Sequence, residues 1–195
     1  MRWATSVAAL AAVVTVSACV PSRASSPSPS LREPSLRRAD AAGGTTTLAE
    51  EVSLAQVTVV VFYADHCPCF RVHEARLREL AIAYADRGVR LILVDSEVSA
   101  TVERDARAAA ERRLPTILLD PGARLADAFG ADYATYTVVL DAQGRVRYRG
   151  GIDSDKERLH DDAEPYVRNA IEDLLARREP RTIEGKALGC ALQKR

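Results

Sequence analysis

The sequence predicts an α/β domain in which helices cover both faces of a central mixed sheet. Three observations lead to this expectation. Residues 57–64 form a nearly continuous β-branched and apolar run, which is typical of a buried strand in a parallel sheet. Strand-like and helix-like segments alternate after it, which indicates parallel strands joined by helical crossovers. Near the end, the turn at 141–144 joins two short strands, which predicts an antiparallel hairpin.

Hydrophobic periodicity and turn residues place the individual elements. A short helix or lead-in is expected at 48–54, before the first strand. The next helix has Leu77, Leu80 and Tyr84 at helical spacing and closes at Arg87-Gly88. The remaining elements, in chain order, are a strand at 89–94, a helix at 99–113, a strand at 116–119, a short helix at 125–129, strands at 137–140 and 145–148, and a helix at 165–178.

The composition fits one domain with extensions at both ends. The chain has 195 residues and a formal net charge of zero, so no long-range field favours nucleic acid as a partner. We expect a signal peptide at 1–18, a flexible Ser/Pro-rich tether at 19–46, the folded domain at 47–178 and a tail at 179–195 that carries Cys190.

The first residues predict an exported protein. Arg2 precedes a short apolar segment at 7–16, and Val16-Ser17-Ala18-Cys19 resembles the lipobox of bacterial lipoproteins. The resemblance implies cleavage before Cys19 and its acylation; an ordinary secretory signal, with Cys19 incidental, is the alternative. The expected location is extracytoplasmic, with the lipid on Cys19 anchoring the protein to a membrane that faces the periplasm. Val20 slightly favours the outer membrane, since an aspartate there is associated with inner-membrane retention.

Three cysteines then remain for chemistry, and two of them flank Pro68 where the first strand gives way to a helix. The N–H groups and positive dipole end of a helix stabilise a thiolate. We therefore expect Cys67 to be an exposed nucleophile and Cys69 to be the thiol that resolves its adducts. A protonated His66 would further favour the thiolate.

Three segments resemble known redox proteins. The segments are Phe62-Tyr-Ala-Asp-His-Cys67, Leu-Pro-Thr-Ile-Leu-Leu-Asp-Pro-Gly at 114–122, and Gly130 to Gly144 with the hairpin that follows. They are similar to segments of extracytoplasmic thioredoxin-like and alkyl-hydroperoxide-reductase-like redoxins. The resemblance implies a thioredoxin-like fold and a thiol–disulfide oxidoreductase without a cofactor. Its partners would be protein thiols and disulfides or a membrane electron donor.

The chain also departs from these families at three positions. A single residue, Pro68, separates the two cysteines where the usual pair has two residues between them. Thr135 aligns with the cis-proline that faces the disulfide in thioredoxins, and Ala64 stands where peroxidases carry a threonine.

Two further hypotheses remain open for the cysteines. The tail could fold back so that Cys190 resolves an oxidised Cys67, as in a thiol peroxidase, or Cys190 could be unpaired or intermolecular on a mobile end. Alternatively, Cys67 and Cys69 could bind copper or zinc, with His66, His73 or Cys190 completing the site. Otherwise His73 is expected to be a solvated helix residue.

Overall fold

The computed structural model describes Met1 and residues 34–194. Cys19, almost all of the predicted signal peptide and the first part of the predicted tether lie outside the described residues. Within residues 34–194, none of the helices combines the length and the hydropathy that crossing a bilayer requires.

The described residues form a seven-stranded mixed sheet with the spatial order β2-β1-β5-β4-β3-β6-β7. Strands β3, β4 and β5 are parallel to one another, and the other pairings are antiparallel. The strands are β1 (Leu36–Arg38), β2 (Thr45–Thr46), β3 (Val57–Tyr63), β4 (Val89–Asp95), β5 (Ile117–Leu119), β6 (Thr137–Asp141) and β7 (Val146–Gly150).

Helices pack on this sheet, and they are α1 (Leu48–Ser53), α2 (Pro68–Tyr84), α3 (Val102–Arg112), α4 (Arg124–Phe129) and α5 (Tyr166–Leu175). All seven residues of β3 are buried. Because successive side chains of a strand point to opposite faces, both faces of the sheet are covered at β3. The predicted α/β architecture is confirmed, and every strand and helix expected between 48 and 178 is present.

The predicted tether extends too far into the chain. Residues 36–46 form β1 and β2, and β1 pairs with β5 at the register Arg37↔Leu119. Leu36 is fully buried in the core. The segment contributes one large apolar side chain and many main-chain hydrogen bonds, so its hydrophobic pattern gave no sign of a strand.

The tail beyond α5 is also part of the fold. Main-chain hydrogen bonds join Arg149 of β7 to Ile183 and Gly185 at 3.1 and 2.9 Å. Farther along, Gln193 bonds to Val98 in the loop after β4. The tail therefore crosses the sheet edge where β3 ends and α2 begins.

Candidate active site: a cluster of three thiols

Cys67 is the N-cap residue of α2. Its backbone is extended, with φ −79° and ψ 112°, and its Sγ accepts a hydrogen bond from the N–H of Phe70 at 3.4 Å. Pro68 occupies the first helical turn, where its missing N–H costs nothing. The Phe70 ring meets Tyr63 of β3 edge-to-face at 4.9 Å, which ties this turn to the strand. The sulfur thus lies at the positive end of a 17-residue helix.

Cys67 is buried, contrary to the expectation of an exposed nucleophile. The residue has no accessible surface, and Cys69 is 5 % exposed. The tail forms part of this cover, since the N–H of Cys190 contacts Sγ of Cys67, and the sequence could not place the tail against this turn. Access to Cys67 therefore depends on the tail, or on a reactant small enough to pass it.

The tail places Cys190 directly over the start of α2. The N–H of Cys190 donates to Sγ of Cys67 at 3.4 Å, and its carbonyl accepts from the N–H of Ala134 at 2.9 Å. The N–H of Leu192 donates to the carbonyl of Asp132 at 2.9 Å, so the tail pairs antiparallel with the loop before β6. Of the two alternatives for the tail, the structure therefore has the one in which it folds back.

The sulfur atoms of Cys67, Cys69 and Cys190 all lie within 4.8 Å of one another, and the three residues are free thiols. Burial raises the pKa of Cys69, and negative charge on Cys67 adds to that effect. Burial also raises the pKa of the Cys190 thiol well above its ordinary value, with further contributions from a side-chain hydrogen bond to Cys67 and from charge there. Burial is thus the main factor that favours the protonated form of Cys69 and Cys190.

Gly189 makes this approach of the tail possible. A Cβ at this position would lie 1.7 Å from the carbonyl oxygen of Ala134 and 3.1 Å from Oγ1 of Thr135. Any larger residue would push Cys190 away from Cys67. The Gly189-Cys190 pair is a local sequence signal for this contact, but its target could not be read from the tail alone.

Thr135 lies between the tail and β3. Its N–H donates to the carbonyl of Phe62 at 2.8 Å, and its hydroxyl donates to the carbonyl of Leu188 at 3.3 Å. Its φ of +76° is costly for a β-branched residue. Thr135 therefore occupies a supporting position beside the thiols, and its used N–H and positive φ are both incompatible with proline.

His66 is outside the group of three convergent thiols and pairs with Glu97. Its Nδ1 lies 3.2 Å from Oε2 of Glu97, and its side chain is 51 % exposed. Glu97 is buried and its other oxygen accepts from the N–H of Gln193 at 3.2 Å. Glu97 thus connects His66 to the tail, a position that its sequence context did not indicate.

His73 is buried, contrary to the expectation of a solvated residue. It is 1 % exposed, and its Nδ1 and Nε2 lie 2.7 Å from the carbonyl of Cys69 and 3.1 Å from Asp153. The salt bridge extends to Arg76, which lies 2.5 Å from Asp153. His73 lies four residues before Leu77, so helical spacing is compatible with a buried position, but its partner Asp153 is distant in sequence and could not be foreseen.

Comparison with known protein families shows which family the chain belongs to. Residues 29–149 match the model of the AhpC/TSA family. The chain belongs to the AhpC/TSA family. Membership supports a thiol oxidoreductase or thiol peroxidase in the broad sense. The matched residues of this AhpC/TSA protein include Cys67, Cys69 and Thr135 and end before the tail that carries Cys190.

Solved structures confirm a thioredoxin-like fold for this AhpC/TSA protein. An uncharacterised conserved protein from Geobacillus kaustophilus superposes with a TM-score of 0.75 at 23 % identity, over 86 % of this chain and 92 % of that one. A hypothetical protein from Sinorhizobium meliloti gives 0.72 at 23 % identity, over 86 % and 95 %. A putative thioredoxin from Neisseria meningitidis gives 0.56 at 16 % identity, over 73 % and 89 %. Comparison with curated proteins gave no match.

Proposed function

We propose that the protein is an extracytoplasmic thiol–disulfide oxidoreductase in which Cys67 attacks and Cys190 resolves. The observation that supports this assignment is the hydrogen bond from the N–H of Cys190 to Sγ of Cys67 at 3.4 Å. Together with the N–H of Phe70, it gives Cys67 two main-chain donors at the start of a helix. Donors to a sulfur favour its anionic form, which is the nucleophile in thiol exchange.

The reaction balances with two thiols of the protein, Cys67 and Cys190, and one external disulfide. The Cys67 thiolate attacks one sulfur of the substrate disulfide, forms a mixed disulfide and releases the first substrate thiolate. Cys190 then loses its proton and attacks Sγ of Cys67, which releases the second substrate thiolate and leaves a Cys67–Cys190 disulfide. The substrate gains two electrons and the protein loses two, and an external dithiol must restore the reduced protein.

The order of these steps follows from the charges. Negative charge on Cys67 helps to raise the pKa of Cys190, after burial and their hydrogen bond. That charge disappears when Cys67 enters a mixed disulfide. Cys190 then loses its proton more easily, so capture of the substrate activates the resolving thiol.

Cys190 is better placed than Cys69 to resolve. Cys67 and Cys69 lie two positions apart at the N-terminus of α2, so a bridge between them would close a short, strained ring. Cys190 comes from a separate segment with its own main-chain anchors. Cys69 remains a third thiol that can accept the bridge from Cys190.

Peroxide reduction is the second candidate, and the full burial of Cys67 favours it. A peroxide is small enough to reach Cys67 while the tail stays in place, whereas a protein disulfide requires the tail to move aside. The Cys67 thiolate would attack the peroxide, releasing an alcohol or water and becoming a sulfenic acid. Cys190 would then form the disulfide and release water.

The proposed location and partners rest on the N-terminal sequence. A lipid on Cys19 would hold the domain at the periplasmic side of a bacterial membrane, where disulfides persist. Protein thiols or a membrane electron donor would reduce it there. Mass analysis of the membrane fraction tests this step, because Cys19→Ser should remove the acyl mass and release the protein.

Disulfide mapping of the full chain tests the main proposal. Reduced protein is treated with oxidised glutathione, and separately with hydrogen peroxide, then digested without reduction and analysed by mass spectrometry. We expect a Cys67–Cys190 bridge in the native chain, a glutathione adduct on Cys67 in Cys190→Ser, and a retained Cys67–Cys190 bridge in Cys69→Ser. A Cys67–Cys69 bridge with Cys190 still reduced would contradict the proposal. Faster oxidation by peroxide than by glutathione disulfide would favour the second candidate.

A further inference from the structure

We propose that the reduced Cys67, Cys69 and Cys190 form a three-thiolate binding site for Cu(I). The inference does not depend on the proposed exchange reaction, since it concerns the fully reduced cluster and involves no electron transfer. It assigns to the same three sulfurs a metal-bound state in addition to the disulfide state.

The positions of the sulfur atoms fit a trigonal site. In a planar trigonal site, the metal lies about 2.3 Å from each of three sulfurs, and the sulfurs are then about 4 Å apart. The three Sγ atoms lie within 4.8 Å of one another without any bond between them. They come from two segments held independently, the first turn of α2 and the tail paired with the loop before β6, so small shifts of either segment can adjust the distances.

The donor set favours Cu(I) over Zn(II). His66 faces Glu97 at 3.2 Å, and both ring nitrogens of His73 are within hydrogen-bond distance of other partners. Among the described residues, the group of convergent metal-binding side chains at this point therefore contains sulfur only. Protein sites for Zn(II) are almost always four-coordinate, whereas Cu(I) is a soft ion suited to thiolates.

The surroundings suit a buried, negatively charged metal–thiolate group. Two main-chain N–H groups, from Phe70 and Cys190, point at Sγ of Cys67 and offset part of the charge of three thiolates around one Cu(I). Cys67 and Cys69 are buried and Cys190 is partly exposed. Copper would therefore enter from the side of the tail and be shielded from water beneath it.

An anaerobic competition titration tests this site. Full-length, fully reduced protein is titrated with Cu(I) in the presence of bicinchoninate, and the copper-loaded protein is examined by X-ray absorption. We expect one equivalent of Cu(I), a first shell of sulfur atoms only and a coordination number of three. The absorption measurement uses the native chain, so it does not depend on a variant's folding.

Variants identify the ligands. Substitutions around a metal's ligands typically weaken binding by about 10- to 100-fold, so loss of a ligand should cost more than about 100-fold. We expect this loss of Cu(I) affinity in each of the variants Cys67→Ser, Cys69→Ser and Cys190→Ser. The control His66→Ala, which changes the residue next to Cys67, should bind Cu(I) as tightly as the native chain. A two-coordinate site unaffected by Cys190→Ser, a nitrogen ligand lost in His66→Ala, or a preference for Zn(II) in a four-coordinate site would each overturn the proposal.

Discussion

The N–H of Cys190 donates to Sγ of Cys67 across 123 positions of the chain, at a distance of 3.4 Å. A residue near the C-terminus thus completes the N-terminus of the helix that carries the reactive thiol. The local strand–cysteine–helix arrangement positions one donor, and the tail supplies the second. Reactivity at Cys67 should therefore depend on how the tail is held.

The cover over Cys67 should select reagents by size. Iodoacetamide should modify Cys67 in the reduced chain much faster than a maleimide attached to a long polyethylene glycol, because Cys67 has no accessible surface. Peptide mapping after timed quenching measures both rates. Deletion of residues 187–195 should raise the rate for the large reagent and reduce the difference. Equal rates in the intact chain would show that the tail does not cover the thiol in solution.

Gly189→Ala should detach Cys190 from the cluster. Its Cβ would lie 1.7 Å from the carbonyl oxygen of Ala134, so the tail must move. Overpacking of this kind costs about 1–3 kcal/mol, which denaturant unfolding would detect. Oxidation with glutathione disulfide should then leave Cys67 as a mixed disulfide.

Gly44→Ala is the control for that substitution. Nothing lies within 4 Å of a Cβ added at Gly44, and its positive φ, which Gly189 does not share, makes alanine there a strained backbone change without a steric clash. The control chain should form the Cys67–Cys190 bridge at the native rate. A Gly189→Ala chain that did the same would show that the close contact is unimportant for resolution.

Thr135 should tolerate glycine better than proline. Thr135→Pro loses the donor to the carbonyl of Phe62 and cannot adopt a φ of +76°, so we expect a loss of about 3 kcal/mol or more in the free energy of unfolding. Thr135→Gly relieves the backbone strain, worth about 1–2 kcal/mol, while losing the hydroxyl contact with Leu188. Chemical denaturation of both variants measures the difference. A proline variant as stable as the native chain would contradict the backbone assigned to this loop.

Resolution by Cys190 should accelerate with pH. Burial is the largest cause of the raised pKa of Cys190 and persists when Cys67 is in the mixed disulfide, so the thiolate of Cys190 is scarce at neutral pH. Below that pKa, each added pH unit should increase the rate of the second step about tenfold, until the thiolate predominates. Stopped-flow release of the second substrate thiol measures this step. A rate of this step that is independent of pH near neutrality would contradict a raised pKa of Cys190 in the mixed disulfide.

Local sequence patterns predicted the architecture because most of its elements are encoded locally. The β-branched run of β3, the helical spacing of Leu77 and Leu80, and the turn before β7 each predicted the right element. The N-terminal strands were missed because main-chain pairing, of β1 with β5 and of β2 with β1, holds them rather than a periodic apolar pattern. Local sequence is therefore a poor guide to edge strands with few apolar residues.

The site was predictable only in part for the same physical reason. Cys67, Pro68 and Cys69 were found because strand, turn and helix are adjacent in sequence. The burial of Cys67 and the partner of His73 depend on contacts with residues 190 and 153, which no local pattern encodes. Gly189 indicated a close contact of the tail, but the partner in that contact, the carbonyl of Ala134, is known only from the structure.

The distance along the chain between residues 67 and 190 couples oxidation to folding. A covalent link between them would close a loop of more than a hundred residues and remove much of the freedom of the unfolded chain, a stabilisation of about 4–5 kcal/mol in the chain-entropy description. By thermodynamic reciprocity, the native fold must then favour formation of that link by the same amount. Denaturing the protein would make the link easier to break with a reductant, and reducing it would make the protein easier to denature.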